Sequence, residues 1–331
     1  MHKTSVWLIS FLLVGFTAQS QIFKIADSSK VVKVVDSMLI DRDLSNYSLR
    51  VFSNYKVKRF TLRDADSKTR FIPNNQFGIG FGFASRKIIV DIAFNLKTNK
   101  EEITNRFDLQ GTTILGKNHL VGLSIQTYKG FNVRNNYNDP TVFRSDIKST
   151  TVGFNYLFML SEIEFSFALL KAGLAQRNKS VYLTGGLGFF GIHDYFSGNN
   201  GVLSSLGREN YNTQGHVKRY SSQSVGLLGG FISAFMLPKN IIASFNIMPG
   251  IGIVNKKVTT LTDSYKPGKP FLFKLDYTAA LVYDVERFYV SLIYDGSAYA
   301  TSLGYDNTQQ FSLSKAKLAF GYKLKAKKKE K

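Results

Sequence analysis

Basic side chains recur at alternate positions near both ends of this 331-residue chain. Residues spaced by two share one face of a β-strand, so cations at this spacing form a row. Such a row attracts anions and, in a narrow passage, selects for them. The predicted cationic wall consists of Arg50, Lys56, Arg63, Lys315, Lys317 and Lys323. Including Arg63 requires a β-bulge at Lys58-Arg59, which would shift its parity.

Aspartates on the same predicted face leave a second interpretation open. They are Asp91, Asp108, Asp276, Asp284 and Asp295. A buried charge without a partner is costly, so cations and carboxylates that share a narrow interior are equally typical of a salt-bridged plug. The pattern therefore predicts either an anion-attracting pore or a plugged interior.

His193 and Asp194 are the best candidates for catalysis, because a histidine beside a carboxylate can act as a general base and Ser197 follows closely. Adjacency in sequence does not orient three groups, and loop solvation is the simpler explanation. The histidines after residue 20 lack ligand spacing, and the chain has no cysteine. We predict no enzyme activity, no catalytic residue, no metal site and no cofactor.

Two glycine-rich stretches, 78–82 and 185–188, superficially resemble phosphate-binding loops. A phosphate loop needs a strand-to-helix turn that aims a helix N-terminus at the anion. Here the glycines occur within strand patterns, where a missing side chain allows tight packing, bends or bulky neighbours. We predict no nucleotide site.

The elements that must position these residues are β-strands. From Tyr47 onward, apolar and polar residues alternate with period two, first over 47–56, then over 77–83 and 88–95. In all, about thirteen segments of roughly ten residues follow one another, the length that a tilted strand needs to cross a bilayer. The later segments are 104–115, 119–129, 149–160, 163–170, 180–192, 222–237, 241–254, 271–284, 287–299 and 312–324.

The connections favour a membrane barrel over a soluble sandwich, because short turns at one end and long loops at the other are typical of outer-membrane barrels. The predicted long connections are 64–75, 96–103, 131–148, 171–179, 193–221, 255–270 and 300–311. A closed single-chain barrel of this kind has an even strand number. We therefore predict an all-β, closed antiparallel transmembrane barrel of about 12 strands if 163–170 does not span, or 14 if 193–221 contains a strand.

The first twenty residues predict export. Met1-His2-Lys3 is a short basic region, Val6 to Phe16 is apolar, and Ala18-Gln19-Ser20 has small residues at the two cleavage positions. The predicted domains are a cleaved Sec signal peptide at 1–20, a periplasmic leader at 21–46, the barrel at 47–324 and a basic tail at 325–331.

The chain carries 43 Lys and Arg against 23 Asp and Glu, a formal charge of +20, which favours anionic partners. Export excludes nucleic acid as the usual partner. Lipid A phosphates at the outer rim fit instead. The loop cations proposed to meet them are Arg177, Lys179, Lys256, Lys257, Lys266 and Lys269.

Several short motifs, in order, are similar to those of an uncharacterised Bacteroidetes-type family of outer-membrane barrels with a domain of unknown function. They are "SLRVF" and "KRFTLR" after Asp36, "PNNQFGIGFGF", "YKGFNV", "EFSFALL" with "QRNKS", and "PGIGI". The family continues the fourth motif as Lys-Ser-Ala-Gly-Ser, whereas this chain has Val181-Tyr182 after Lys179-Ser180. The resemblance implies a barrel in the outer membrane and no particular activity.

The first expected function is a narrow pore or transport conduit with a partly cationic lumen. The alternative is a plugged structural barrel, or one that binds surface glycan or a partner. An outer-membrane enzyme is the third hypothesis. The expected partners are outer-membrane lipid with its lipid A phosphates, small anionic solutes or surface glycan, and the barrel assembly machinery. That machinery would read the last strand, where Leu318, Phe320, Tyr322 and Leu324 alternate outward.

Overall fold

The computed structural model describes residues 46–84, 88–95, 102–116, 118–160, 181–285 and 287–325. These residues belong to the compact unit Ser45–Lys331. The predicted signal peptide, the leader up to residue 45, the predicted strand 163–170 and the tail from residue 326 lie outside the described residues. They stay predictions.

The described residues form one antiparallel sheet with a short helix and a 3-10 turn. The strands are β1 (Asn46–Arg63), β2 (Lys68–Ile72), β3 (Phe77–Ala84), β4 (Ile88–Asn95), β5 (Asn105–Leu115), β6 (His119–Asn135), β7 (Val142–Met159), β8 (Val181–Ser197), β9 (Val217–Leu237), β10 (Ile241–Thr260), β11 (Ser264–Tyr265), β12 (Phe271–Val285), β13 (Phe288–Gly304) and β14 (Asn307–Lys325). Helix α1 is Ser205–Glu209, and the 3-10 turn is Thr213–Gly215.

The sheet closes on itself because the first and last strands pair. β1 and β14 form an unbroken ladder from Asn46↔Lys325 to Arg63↔Thr308. Followed around the ring, the pairings run β1, β3, β4, β5, β6, β7, β8, β9, β10, β12, β13, β14 and return to β1. We call the end where β1 begins and β14 ends the terminal end, and the opposite end the loop end.

The ring changes its strand number along its length. β2 and β3 both pair with β1, β2 beside Phe60 to Arg63 and β3 beside Ser48 to Tyr55. On its other side β2 pairs directly with β6, whereas β3 reaches β6 only through β4 and β5. In the described residues the loop half therefore closes with ten strands, and the β4–β5 hairpin is added only in the terminal half. Neither predicted number, twelve or fourteen, describes the whole barrel.

A small polar cluster lies where the added hairpin meets the narrower ring. Thr104, almost fully buried, donates its hydroxyl to the Gly130 carbonyl at 2.8 Å. Its backbone N–H donates to Asn74 Oδ1 at 2.8 Å, and the Asn74 N–H donates to Thr104 Oγ1 at 3.0 Å. Gly130 has a φ of +88°, which favours glycine, and marks a register shift between β6 and β7. We call this cluster the fork.

The outer surface is apolar over much of every long strand. In β3, the odd positions Phe77, Ile79, Phe81 and Phe83 are between 41% and 61% exposed, while the glycines between them face inward. The same alternation exposes leucine, valine and phenylalanine on β8, β9, β12 and β13. An apolar belt outside a closed sheet is what a lipid environment requires. In the described ranges no helix is long and apolar enough to cross a membrane.

Several strands are longer than predicted, so the predicted connections 131–148 and 300–311 are wrong. Only 136–141 separate β6 from β7, and β13 turns into β14 at Tyr305 and Asp306, whose φ values of 51° and 62° are typical of a tight hairpin. The predicted loop 64–75 also contains β2. In these outer parts the outward positions are mainly polar, so the apolar outward face that marks a strand in lipid is absent.

Of the two segments that left the strand count open, 193–221 does not supply an additional spanning strand to the ring, and 163–170 lies outside the described residues. β7 pairs directly with β8 from Lys148↔Ser197 to Met159↔Gly186. β8 in turn pairs directly with β9 from Val181↔Phe235 to Ser197↔Arg219. Between β8 and β9 the chain forms only α1 and the 3-10 turn as regular elements.

Candidate functional site

The predicted cationic wall forms where β1 and β14 meet, with the exception of Arg63. Even positions of β1 and odd positions of β14 face the interior, because the ladder between them has no register shift. The inward cations are Arg50, Lys56, Lys315, Lys317 and Lys323, four of them less than 10% exposed and Lys323 partly buried. Lys56 and Lys315 lie directly opposite each other, an unfavourable pairing unless other charges compensate.

Asp91 on β4 compensates two of these cations. Arg50 Nε donates to Asp91 Oδ1 at 2.9 Å, and Lys317 forms an ion pair with the other carboxylate oxygen. Lys317 Nζ also lies 4.0 Å from the centre of the Phe52 ring. Gly82 leaves room for this arrangement, since a Cβ there would lie 2.3 Å from Asp91 Oδ1. The glycines of 78–82 thus lie within a strand and make room for bulky neighbours.

Asp108 and Asp295 compensate the opposed lysines. Lys56 Nζ donates to Asp108 at 2.6 Å, and the Tyr128 hydroxyl donates to the same carboxylate at 2.9 Å. Lys315 Nζ lies 3.1 Å from Asp295 and 3.1 Å from the Gln110 side-chain oxygen. Each lysine of the opposed pair therefore has its own carboxylate.

The remaining interior charges are paired in the same way. Lys323 forms an ion pair with Asp284, and Lys274 of β12 forms one with Asp276. Ser297 donates a further hydrogen bond to Asp276 at 2.6 Å. All five aspartates of the predicted set therefore hold an interior lysine or arginine. Because a paired cation attracts a second anion weakly, the arrangement resembles a salt-bridged plug more than an anion filter.

Arg63 does not belong to the wall. The expected bulge at Lys58-Arg59 is absent, since the β1–β14 ladder continues unbroken to Arg63↔Thr308. Arg63 therefore takes the outward parity of β1 and is exposed. The two adjacent cations had suggested a bulge, but only Arg59 faces outward there.

Lys58 was missed because the expected bulge removed it from the inward set. It is fully buried, and its ammonium group lies 5.1 Å from the centre of the Tyr128 ring and 5.6 Å from that of Phe311. It donates a long hydrogen bond to the Gln126 carbonyl at 3.4 Å. Among the described side chains, no carboxylate forms an ion pair with it. Strict period-two parity from Arg50 would have found it.

At the loop end the interior is filled mainly by aromatic and aliphatic side chains. Phe60 stacks on Phe71 at 4.2 Å and on Phe196 at 4.7 Å between ring centres, and Phe196 stacks on Tyr220 at 4.9 Å. Phe131 packs edge-on against Phe60 at 5.4 Å. Further buried members are Leu62, Tyr128, Val133, Ile147, Val202, Leu203, Tyr211, Val217, Val258 and Leu303. We call this set the aromatic plug.

The connection 198–216 covers the aromatic plug at the loop end. Val202 and Leu203 are buried in it, and the Tyr211 hydroxyl donates to the Leu62 carbonyl at 2.9 Å. Burial raises the pKa of the Tyr211 phenol above its ordinary value, so it remains a donor under physiological conditions. Asn212 fastens the same connection to the β1–β2 turn through two hydrogen bonds to Asp64, at 3.0 and 3.1 Å.

His193 and Asp194 do not form a dyad. Both lie in β8, not in a loop, and as neighbours in a strand they point to opposite faces. Asp194 faces inward, where Thr151 Oγ1 donates to it at 2.7 Å and Gln309 Nε2 at 3.1 Å. His193 faces outward. In the part of the chain that the structure describes, no group of three or more His, Cys, Asp or Glu side chains could hold a metal ion.

Among the loop cations expected to meet lipid A phosphates, Lys256 is misplaced. It faces inward, and its ammonium group donates to the Lys269 carbonyl at 2.6 Å and to Thr301 Oγ1 at 2.9 Å. Lys257, Lys266 and Lys269 are exposed, as expected for such a contact. Arg177 and Lys179 lie outside the described residues.

A closed antiparallel barrel with an apolar outer belt and an interior of paired charges has the architecture of the outer-membrane β-barrel proteins. Within that class, the chain belongs to the family described as "Domain of unknown function (DUF4421)", whose model matches residues 34–325. The predicted origin in Bacteroidetes is not tested by this match and stays a prediction. No curated protein sequence matches the chain.

Solved structures of outer-membrane barrels are similar at low identity. The outer membrane protease OmpT from Escherichia coli is 10% identical, with 85% of this chain and 97% of that chain covered and a TM-score of 0.39. The COG4313 outer membrane channel from Pseudomonas putida F1 is 5% identical, with 85% and 96% covered and a TM-score of 0.33. Similarity at this level transfers neither protease activity nor channel activity to this chain.

Proposed function

We propose that the protein is an outer-membrane β-barrel that does not conduct, and that it acts as a structural or partner-binding barrel closed at its loop end. The aromatic plug is the observation that carries this proposal, because strand and loop residues together fill the interior there. Phe60, Phe71 and Phe131 are each at most 1% exposed. This favours the plugged alternative over the narrow pore that ranked first on sequence grounds.

The interior charges support the same conclusion. An anion-selective passage needs cations that a solute can reach and exchange with. In this barrel the wall cations are held by Asp91, Asp108, Asp284 and Asp295. The carboxylates of Asp91 and Asp108 retain about one fifth of their exposure, so water reaches the terminal half but meets the plug beyond it.

Location and orientation complete the proposal. Outer-membrane barrels place short turns in the periplasm and longer connections outside the cell. The tight Pro238-Lys239-Asn240 turn lies at the terminal end, and the long connection 198–216 lies at the loop end. We place the loop end at the cell surface and propose Sec export, a periplasmic leader and twelve strands in the terminal half. His193 and Asp194 face opposite sides, which favours a function without catalysis.

Conductance in planar lipid bilayers tests the closed interior. The native protein is expected to give no current above that of the empty membrane. A variant with 199–215 replaced by a short Gly-Ser linker, together with Phe60→Ala and Phe196→Ala, is expected to give discrete current steps. Circular dichroism and the heat-dependent gel shift of folded barrels would establish that this variant still forms a sheet.

Leu206→Ser serves as the matched control, because Leu206 lies in the same connection but is exposed and outside the plug. This variant is expected to remain silent in the bilayer. Current through the native protein would overturn the closed-barrel proposal. A folded, opened variant that stayed silent would show that the aromatic plug is not what closes the interior.

A further inference from the structure

The outer surface has a groove along β14. It lies on the outward face of this strand, whose inward face carries part of the cationic wall. On the outward positions of β14, Ser312, Ser314 and Ala316 replace the large side chains that follow at Leu318 and Phe320. Two adjoining depressions of about 380 Å³ and about 230 Å³ result, and both are lined by Ser312. We call them together the β14 groove.

The sides of the groove come from β1, β12 and β13. Tyr55 and Val57 of β1 line one side, and Tyr294 of β13 lines the other. Phe273 and Leu275 of β12 continue the apolar side in the larger depression, with Ala298 and Ala300 of β13 between them and β14. The groove is therefore continuous with the apolar belt that faces lipid.

Two tyrosines lie beside the groove. Tyr277 lies across Gly296, where a Cβ would be 2.4 Å from the phenol ring, and its hydroxyl is 3.4 Å from Ser314 Oγ. Its ring centre lies 5.8 Å from that of Tyr294. The two rings therefore lie together near Ser314, on the terminal-end side of the larger depression.

Four cations surround the loop-end side of the groove, and we call them the basic rim. Arg59, Lys68 and Arg70 line the larger depression, and Arg63 lies opposite Lys68 in the β1–β2 ladder. Arg59 lines both depressions, and its Nε is buried without a hydrogen-bond partner. In the described ranges no carboxylate forms an ion pair with any of the four.

The acidic residues next to the rim do not neutralise it. Asp64 turns away from the rim and accepts two hydrogen bonds from Asn212, on the connection 198–216. Asp66 is exposed in the turn between β1 and β2, and its backbone carbonyl accepts a hydrogen bond from Asn136. The positive charge of the four rim cations is therefore not balanced by nearby carboxylates, and the buried Arg59 Nε lacks a hydrogen-bond acceptor. A bound anion would supply both.

We propose that the β14 groove and the basic rim bind a phosphorylated, acylated lipid of the lipid A type. Its phosphates would be held by the rim, and one acyl chain would lie along the small residues of β14. A soluble anion would use the rim but not the apolar groove below it, whereas an amphiphile uses both. The site is independent of whether the barrel interior conducts.

Binding to the purified, detergent-solubilised full-length protein, measured by native mass spectrometry, tests the proposal. Three probes separate the contributions: bis-phosphorylated lipid A, the same lipid without its phosphates, and inorganic pyrophosphate. Lipid A is expected to bind one to one. Removing its phosphates is expected to weaken binding roughly a hundredfold, because each cation near a lipid phosphate contributes strongly. Pyrophosphate is expected to compete only weakly, because it lacks the acyl chain that the groove would hold.

Two variants locate the site. Arg59→Gln, Lys68→Gln and Arg70→Gln together are expected to weaken lipid A binding about a hundredfold. Ser312→Phe, which fills the groove and leaves the rim intact, is expected to weaken lipid A and the dephosphorylated lipid alike. The matched control removes three exposed charges from β7 and β9 at the same end, Lys148→Gln, Lys218→Gln and Arg219→Gln, and is expected to bind as the native protein does.

Three results would overturn the proposal. The first is equal binding of lipid A by the rim variant and the control variant, which would mean that general positive charge is responsible. The second is equal binding of the lipid with and without phosphates. The third is full competition by pyrophosphate together with an unaffected Ser312→Phe variant, which would mean an anion site without a lipid groove.

Discussion

The terminal half and the loop half of the barrel differ in their interior charges. In the terminal half, cations from β1 and β14 meet aspartates from β4, β5 and β13, beside a buried apolar cluster contributed by β7 to β10 and β12 to β14. In the loop half, Phe60 and its neighbours form a second buried apolar cluster that includes residues of the connection 198–216. The two halves are therefore expected to differ in their most sensitive substitutions, which are the loss of a charge partner in the terminal half and the loss of a buried ring in the loop half.

The largest expected effect is in the loop half. Phe60→Ala removes a ring that contacts Phe71, Phe131 and Phe196 and is expected to lower the free energy of unfolding by about 4 kcal/mol. Urea unfolding of the barrel in lipid vesicles, followed by far-ultraviolet circular dichroism, measures the loss of stability. Leu206→Ala, at an exposed position of the connection 198–216 outside the plug, is the control and should cost less than about 1 kcal/mol. Equal losses would mean that packing in the aromatic plug does not stabilise the barrel.

The next effect is in the terminal half. Asp91→Asn leaves Arg50 and Lys317 without their shared carboxylate and is expected to cost about 3 kcal/mol in the same unfolding experiment. Replacing all three groups by apolar residues, as Arg50→Met, Asp91→Leu and Lys317→Met, should recover most of this loss. Asp306→Asn, in the exposed β13–β14 turn, is the control and should change nothing measurable. A triple variant as unstable as Asp91→Asn would contradict the charge-pairing explanation.

The smallest effect is expected between the halves, at the fork. Thr104→Val keeps the shape of the side chain but removes the hydroxyl that serves the Gly130 carbonyl and the Asn74 N–H, at a cost of about 1 to 2 kcal/mol. Amide hydrogen exchange should show the loss of protection concentrated in β2 and the start of β5. Thr127→Val, on an exposed position of β6, should leave exchange unchanged. Uniform loss of protection along all strands would count against a local role for Thr104.

The terminal half was largely predictable from sequence, and the loop half was not. Lipid imposes strict alternation, so the inward parity of Arg50, Lys56, Lys315 and Lys317 follows from counting by two. Beyond the lipid both faces tolerate polar residues, and the ends of β6, β9 and β14 therefore lack the signal that would extend them. The burial of Val202 and Leu203 in the aromatic plug depends on how a long connection folds, which no local pattern specifies.

The two errors in the cationic wall share one cause, which is the bulge expected at Lys58-Arg59. The bulge was expected in order to explain two adjacent cations, and it moved Arg63 inward and Lys58 out of the inward set. Two adjacent charges need no bulge, because a strand places one on each face of the sheet. Lys58 faces inward, and Arg59 and Arg63 both face outward.

The fork has a further meaning when the sheet is regarded as a lattice of hydrogen bonds. Two extra rows, β4 and β5, enter this lattice from one side and stop inside it, which is the definition of an edge dislocation in a crystal. At such a point the backbone groups have no regular neighbour, and Asn74 and Thr104 supply their side chains as substitutes. Because β4 and β5 enter the sheet together, the strands remain antiparallel on both sides of the fork. A barrel can therefore change its circumference along its own axis.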